Sequence, residues 1–297
     1  MATTQEALAW ARTRLREAGG SSADLDAAVL LGHVLGVSRA ALYTHPERPL
    51  STAEHSMYTL LIERRAQGEP VAYLTGHREF MGLDFLVDSR VLIPRPETEL
   101  LVEAALAEVK RRGETTLPSL RVADIGSGSG AIAIALAVQE PRLPLIYATD
   151  LSADALLLAA ENARRMQVAE RVRFLKGDLL EPLPEPVDLL LANLPYVAPA
   201  EAEILPLDVR AYEPYLALFG AGDGLGHIRR LLASAPPLLK PGAVLLLEFG
   251  YQQRDRLEQM IPALLPNAQA RFLSDYAGWD RLVEIRAPIS PESEGSV

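Results

Sequence analysis

The stretch Arg121-Val122-Ala123-Asp124-Ile125-Gly126-Ser127-Gly128-Ser129-Gly130, running into Ala131-Ile132-Ala133-Ile134-Ala135-Leu136-Ala137, restricts the fold more than any other part of the chain. A short apolar strand passes through three glycines into an apolar, helix-like segment, and strand, tight turn and helix in that order open a doubly wound α/β sheet. Without a Cβ, the backbone of the turn can approach a ligand where another residue would clash. A second strand, Leu145-Ile146-Tyr147-Ala148-Thr149, ends in Asp150, twenty residues beyond Gly130. At that spacing a carboxylate meets the hydroxyls of a ribose. The plainer alternative is an Asp at the start of the next helix, a capping task that Ser152 can also perform.

Two details separate a methyl donor from a dinucleotide. The glycines read G-x-G-x-G and not G-x-G-x-x-G, and an acidic residue, Asp124, heads the turn. A pyrophosphate is held by free N–H groups at a helix start. S-adenosylmethionine carries a sulfonium and an ammonium and no phosphate, so it suits carboxylates and carbonyls. A third strand, Val172-Arg173-Phe174-Leu175-Lys176, ends in Gly177-Asp178-Leu179. There Asp178 would accept from an adenine amine and Leu179 would form an apolar wall, although Gly-Asp after a strand is by itself an ordinary turn. The expected cofactor contacts are Gly126, Ser127, Gly128, Ser129, Gly130, Asp150, Asp178 and Leu179, with Asn193 beside them.

A fourth apolar run, Val187-Asp188-Leu189-Leu190-Leu191-Ala192, ends in Asn193-Leu194-Pro195-Tyr196, at the sheet edge where α/β proteins put their chemistry. Asn193 offers a side-chain carbonyl, Leu194 a backbone carbonyl and Tyr196 a flat aromatic face, while Pro195 restricts Leu194 to extended conformations. Two acceptors and a wall form a socket for a planar NH₂, in an amide or an exocyclic amine. An amide nitrogen is a poor nucleophile because its lone pair is delocalised, and positive charge grows on it as it attacks a methyl group. Acceptors on its N–H bonds answer both difficulties by orientation and charge stabilisation. No strong base is needed, since the methylated amide cation loses its proton readily to water.

The rest of the chain organises around this sheet. Gln5 to Glu17 and Ala23 to Leu35 have helical apolar spacing, and a third helix follows Ser51 with Glu54 as capping partner, so residues 1–76 are expected to form a small helical domain. From His77 to Ile93 the period becomes two about Gly82 and the turn Asp88-Ser89-Arg90, which predicts a β-hairpin connector over 77–93. Residues 94–287 then alternate strands with helices and close with Arg271–Tyr276 and Arg281–Ile285, whose linker is too short for a crossover and demands antiparallel pairing. The long stretch from Val197 to Gly222 shows few regular signals and reads as a substrate-side lid, and 288–297 as a disordered tail.

Composition sets outer limits. The chain has no cysteine, which excludes disulfides and thiolate chemistry, and its five scattered histidines have no metal-ligand spacing, so no metal is expected. A net charge of −10 weighs against stable, sequence-independent nucleic-acid binding. No apolar run is long enough for a membrane span, and the N-terminus lacks a basic region followed by an apolar one, so a cytoplasmic protein is expected.

From about residue 5 to 287 the chain resembles the protein-(glutamine-N5) methyltransferases that modify peptide chain release factors, the PrmC or HemK family. The resemblance is carried by Val91-Leu92-Ile93-Pro94-Arg95-Pro96-Glu97-Thr98-Glu99, by Asp124 to Gly130, by the Asn193 tetrapeptide, by Tyr212-Glu213-Pro214 with Leu216-Ala217-Leu218, and by Leu247-Glu248-Phe249-Gly250 with Gln253. Leu194 departs from it, since the family has Pro there. The resemblance implies a class I S-adenosylmethionine-dependent methyltransferase fold, a Rossmann-like seven-stranded sheet with an antiparallel C-terminal hairpin, behind a helical substrate-recognition domain. It implies S-adenosyl-L-methionine as cofactor and class 1 peptide chain release factors as protein substrate, methylated on the glutamine of their Gly-Gly-Gln motif. Asn193, Leu194, Pro195 and Tyr196 would form the catalytic loop, and the Pro94–Thr98 segment would lie over the cofactor. Glu213 is read as a substrate-side residue, against the default for any single Glu, Glu248 included, of a solvated carboxylate. Two other readings remain at this level. An adenine N6 methyltransferase acting on DNA or RNA would use the same socket with a flipped base. A cofactor-binding assembly factor without catalysis would find its only hint in Leu194.

Overall fold

The computed structural model describes residues 2–289, so the expected tail lies, from Ser290 onward, outside the described residues. In chain order the helices α1 (Thr4–Glu17), α2 (Ala23–Leu35), α3 (Arg39–Thr44), α4 (Thr52–Ala66) and α5 (Val71–Thr75) precede a hairpin of β1 (His77–Phe80) and β2 (Leu83–Leu86). Then come α6 (Glu99–Arg112), β3 (Val122–Ile125), α7 (Ala131–Gln139), β4 (Ile146–Asp150), α8 (Ala153–Arg165), β5 (Val172–Lys176) and β6 (Val187–Ala192). The remainder is α9 (Leu207–Tyr212), α10 (Tyr215–Leu218), α11 (Gly226–Ser234), β7 (Leu239–Glu248), α12 (Arg254–Leu264), β8 (Gln269–Ser274) and β9 (Asp280–Arg286).

The chain divides into two compact units. One runs to His77 and also takes in Leu205–Glu213; the other takes Arg78–Ile204 and the described residues from Pro214 onward. The hairpin from Arg78 therefore belongs to the sheet unit. Val91-Leu92-Ile93, whose alternation suggested a continued strand, forms none, although Val91 and Ile93 are buried.

In the helical unit, α1 and α4 each begin with a reciprocal capping box. Thr3 accepts from Glu6 N and Glu6 from Thr3 N, and Ser51 and Glu54 do the same, so two otherwise unpaired N–H groups are satisfied at each start. Leu8, Ala11, Leu15, Leu30, Leu31, Tyr58 and Ile62 face inward, at the spacing the helical period dictates. The hydroxyl of buried Tyr58 donates to Ala27 O at 3.0 Å, and Arg65 Nε meets Asp26 Oδ2 at 2.7 Å. The segment Leu205–Glu213 is fastened here: Tyr212 Oη donates to Gln67 O at 3.2 Å, Asp208 stands 3.7 Å from Arg65, and the Leu207 side chain lies over Gly68, where a Cβ would come within 3.0 Å of it. In place of an irregular stretch from Val197 to Gly222, the structure has a 3₁₀ turn at Pro199–Ile204 followed by α9 and α10, each with a proline, Pro206 or Pro214, at its N-cap.

In the other unit the sheet order is β5-β4-β3-β6-β7-β9-β8, seven strands, with β9 antiparallel to both β7 and β8 and the other pairs parallel. β3 runs beside β4 on one side and β6 on the other, so the strand order reverses between β3 and β6, the switch point at which such sheets bind ligands. The register places Ile125 opposite both Thr149 and Ala192. Gly126, Asp150 and Asn193, each one residue further, therefore emerge at one edge. All four residues of β3 are buried, as are all seven residues from Ala131 to Ala137, which is why this part of the sequence reads as continuously apolar. Asn162 of α8, fully buried, ties the hairpin to the glycine turn: its Oδ1 accepts from Leu86 N at 2.8 Å and its Nδ2 donates to Leu86 O and Ser129 O at 3.0 Å each.

Candidate active site

The edge formed by the ends of β3, β4, β5 and β6 opens on a cavity of about 410 Å³. Gly126, Ser127, Gly128, Ser129, Asp150, Asp178, Leu179, Asn193, Leu194 and Pro195 all line it, so the structure brings together residues scattered over seventy positions. Two expected residues do not line it. Gly130 sits behind the turn as the N-cap of α7, where a Cβ would strike Ile134 Cδ1 at 2.7 Å. Tyr196 lies beyond the cavity lining.

The glycine turn is held from below. Gly126 N and Ser127 N both donate to Thr149 O, at 2.8 and 2.9 Å, so the turn rides on the end of β4. Asp150 Oδ2 accepts from Gly128 N at 2.8 Å and its Oδ1 from Ser152 N at 2.8 Å, which fixes the carboxylate between the two loops with lone pairs left over. Burial raises its pKa, and those backbone N–H groups act against the rise. Ser152 caps α8 by accepting from Ala155 N at 3.1 Å, so Asp150 is not needed for that task. Asp178 pairs with Arg230, and Leu179 adopts a left-handed φ of 50° while its carbonyl accepts from Thr149 Oγ1 at 2.9 Å.

Asp124 is fully buried in β3. Its Oδ2 accepts from Ala133 N at 3.3 Å, and burial, together with the nearby charge of Asp150, pushes its pKa up to about 7. Asp124 Oδ1 and Ser127 Oγ are buried with no partner. Buried polar atoms are paired as a rule, so two orphans beside a glycine cradle fit a polar ligand that carries positive charge and hydroxyls.

At the end of β6, Asn193 Nδ2 donates to Thr98 Oγ1 at 2.9 Å. That bond leaves Oδ1 as the end of the amide available to a substrate N–H. Leu194 is buried in the sheet core, Pro195 lines the cavity, and Tyr196 turns its hydroxyl to Glu248 Oε1 at 3.4 Å. The Tyr196 carbonyl accepts from Gln253 Nε2 at 2.8 Å, and Gln253 Oε1 accepts from Gly250 N, so the loop is locked to the end of β7. Glu248 and Glu213 are both buried, contrary to the solvated state expected of a lone Glu. Burial pushes the Glu248 carboxyl up to about 7 and raises the Tyr196 phenol as well. Thr98, Ala131, Leu151, Tyr215, Leu216 and His227 also line the cavity. Of these the sequence had pointed only to Thr98, within the segment expected over the cofactor, and to Leu216, within a motif of the resemblance; neither reading gave the bond to Asn193. Prolines flanking the short helices of 199–218 were the signal that this stretch is built rather than loose.

A seven-stranded sheet with a glycine turn after its first strand, carboxylates at successive strand ends and an Asn-x-Pro-Tyr loop at the switch point define a methyltransferase domain of class I. Residues 98–205 match the family described as Methyltransferase small domain, and residues 6–76 match the PrmC N-terminal domain. The chain is 44% identical over 280 residues to a release factor glutamine methyltransferase of Moorella thermoacetica, covering 94% of this chain and 96% of that one. Among solved structures it resembles a release factor-specific protein-(glutamine-N5) methyltransferase of Alicyclobacillus acidocaldarius, 29% identical, with a TM-score of 0.41 over 69% of this chain and 99% of that one. It shares its fold with the catalytic domain of hMettl16, crystallised in complex with an RNA hairpin, at 14% identity and a TM-score of 0.55 over 81% of this chain and 84% of that one. The chain belongs to the release factor glutamine methyltransferases. Among the described residues no helix is long and apolar enough to cross a membrane.

Proposed function

We propose that this enzyme transfers the methyl group of S-adenosyl-L-methionine to the side-chain amide nitrogen of the glutamine in the Gly-Gly-Gln motif of class 1 peptide chain release factors, in the cytoplasm. The observation that carries the reading is the Asn193–Thr98 hydrogen bond, because it turns the amide so that an acceptor is left at the switch point. Gly126 to Ser129, Asp150, Asp178 and Leu179 would hold the donor, for which the orphaned Asp124 Oδ1 and Ser127 Oγ are a fitting environment. When bound, the donor supplies an electrophilic methyl on a cationic sulfur.

Asn193 Oδ1 and the Leu194 carbonyl then accept the two N–H groups of the glutamine amide. They orient its nitrogen and stabilise the positive charge that grows there. Pro195 restricts Leu194 to an extended backbone, which keeps its carbonyl in place. The extra proton passes to water. The helical unit, which adds no group the reaction needs, would hold the large protein substrate.

Labelled methyl donor incubated with release factor, and separately with DNA and RNA, tests the substrate. Label is expected on one glutamine of the release factor; label on adenine with release factor unmodified would overturn the reading. Asn193→Ala is expected to lower turnover about 100-fold or more with little change in donor affinity, by analogy with removal of one preorganised polar group at a reacting centre.

A further inference from the structure

The peptide unit that joins Tyr196 to Val197 is bonded at both of its polar ends. Its carbonyl, on Tyr196, accepts from Gln253 Nε2 at 2.8 Å, and its N–H, on Val197, donates to Leu218 O at 3.1 Å. With partners at both ends, the plane of this unit cannot pivot about either one. Gln253 is itself held in its turn, because its Oε1 accepts from Gly250 N at 3.0 Å. It is 5% exposed, and the backbone of Gly224 closes over its bond to the loop: a Cβ there would stand 2.3 Å from Tyr196 O and 2.8 Å from Gln253 Nε2. Bulk water has little room to replace that bond.

What this fixes lies two residues upstream. The Leu194 side chain is buried in the sheet core and anchors that end of the loop. Pro195 follows, with φ set by its ring. The Leu194 carbonyl belongs to the peptide unit between the two anchors, so its direction follows from where they stand. The family has a second proline at 194, whose ring would fix φ there as well. Leu194 has no such ring, and in this chain the aim of its carbonyl depends more heavily on the anchors.

We propose that Gln253 is a positioning residue for methyl transfer: by holding the Tyr196 carbonyl it keeps the loop in the shape in which the Leu194 carbonyl and Asn193 Oδ1 both face the glutamine amide, a task that the missing proline leaves to it. The proposal rests on the reading of those two groups as the acceptors for the substrate. Gln253 does not line the cavity and acts through the loop alone.

Gln253→Met keeps the length of the side chain and removes both of its bonds. It is assayed for kcat and KM with intact release factor, for donor affinity by calorimetry, and for Tm. Its kcat is expected to fall about 10-fold or more, the scale of a small misplacement at a reacting centre, with donor affinity changed less than about twofold. The decisive variant adds Leu194→Pro, which supplies the ring constraint and removes a buried side chain. Relative to Gln253→Met, the double variant is expected to gain about threefold or more in kcat while its Tm falls, because the ring restores the shape of the loop and the core loses packing. A residue needed only for stability would give no such divergence of rate and Tm. Gln253→Asn, too short to reach Tyr196 O and Gly250 N at once, carries the same comparison if Gln253→Met does not fold. Normal kcat in Gln253→Met alongside an inactive Asn193→Ala would overturn the proposal, and so would a double variant with no recovery of kcat. An Asn193→Ala enzyme of normal turnover would instead remove the reading of the loop on which the proposal stands.

Discussion

Leu194 fills the space beside Gly126: a Cβ on that glycine would stand 2.9 Å from Leu194 Cδ2, so the loop that would carry the substrate amide packs directly on the turn that would carry the donor. Gly126 also has φ +75°, a region other residues enter at a cost. Two obstacles of different kind therefore guard the same position. Gly126→Ala is expected to destabilise the protein by about 1–3 kcal/mol and to weaken donor binding. Adding Leu194→Ala relieves the contact but not the backbone, so it should restore only part of the loss. Full restoration, read from thermal melts of the single and double variants, would show that φ does not matter here. Leu194→Pro, the residue that the family has at this position, is expected to keep turnover within an order of magnitude because the backbone carbonyl survives. It should lower stability by about 1–2 kcal/mol through lost buried side chain.

Asp150 accepts backbone N–H bonds from both flanking loops and still faces the cavity. Its replacement by Ala is expected to weaken S-adenosylmethionine binding by roughly 1.5 to 3 kcal/mol, the scale of hydrogen bonds to a charged group. Calorimetry with unchanged affinity would remove Asp150 from the donor site.

Asn162 satisfies three backbone groups at once, on Leu86 and Ser129. Asn162→Leu leaves them buried and unpaired, and a loss of about 2–4 kcal/mol in denaturant unfolding is expected. Donor affinity should fall as well, because Ser129 belongs to the turn. A variant as stable as the parent would mean that water replaces the side chain.

The two carboxyls held near 7 make stability depend on pH with an unusual sign. In Asp124 and Glu248 burial disfavours the charged form, so each folded pKa stands above the unfolded one. Between about pH 4 and about pH 7 the folded chain thus binds more protons at these sites than the unfolded chain, and their contribution to stability falls as pH rises, then levels off. In ligand-free protein, Asp124→Asn and Glu248→Gln should each gain in Tm relative to the parent as pH goes from about 5 to about 8. A Tm difference independent of pH would show that the carboxyl in question does not change ionisation in that range.

Much of this was legible because it is local. Val122 to Gly130 and Val187 to Asn193 announce buried strands that end in polar residues, and their register then decides that Gly126, Asp150 and Asn193 meet. The antiparallel hairpin followed from the short link between β8 and β9, but not the placement of β9 between β7 and β8, since either strand of a hairpin can take the edge. Thr98 and Asn193 lie 95 positions apart, and nothing in a Thr before a helix signals a partner on a distant strand. Glu248 was hidden for a related reason. A single acid at the end of an apolar strand reads as the point where the chain meets water, and the groups that offset its burial, among them the Arg281 charge and the Tyr196 hydroxyl, come from other parts of the chain.

The attachment of Leu205–Glu213 to the helical unit bears on how members of this family can be recombined. The polypeptide passes between the two units at three places, near residues 77, 204 and 213, so a single cut after His77 does not divide them. A chimera that imports a foreign helical unit must import a matching Leu205–Glu213 with it. Otherwise Leu207, Asp208 and Tyr212 lose Gly68, Arg65 and Gln67; a working swap needs all three junctions, the one near residue 77 and the two that bracket Leu205–Glu213.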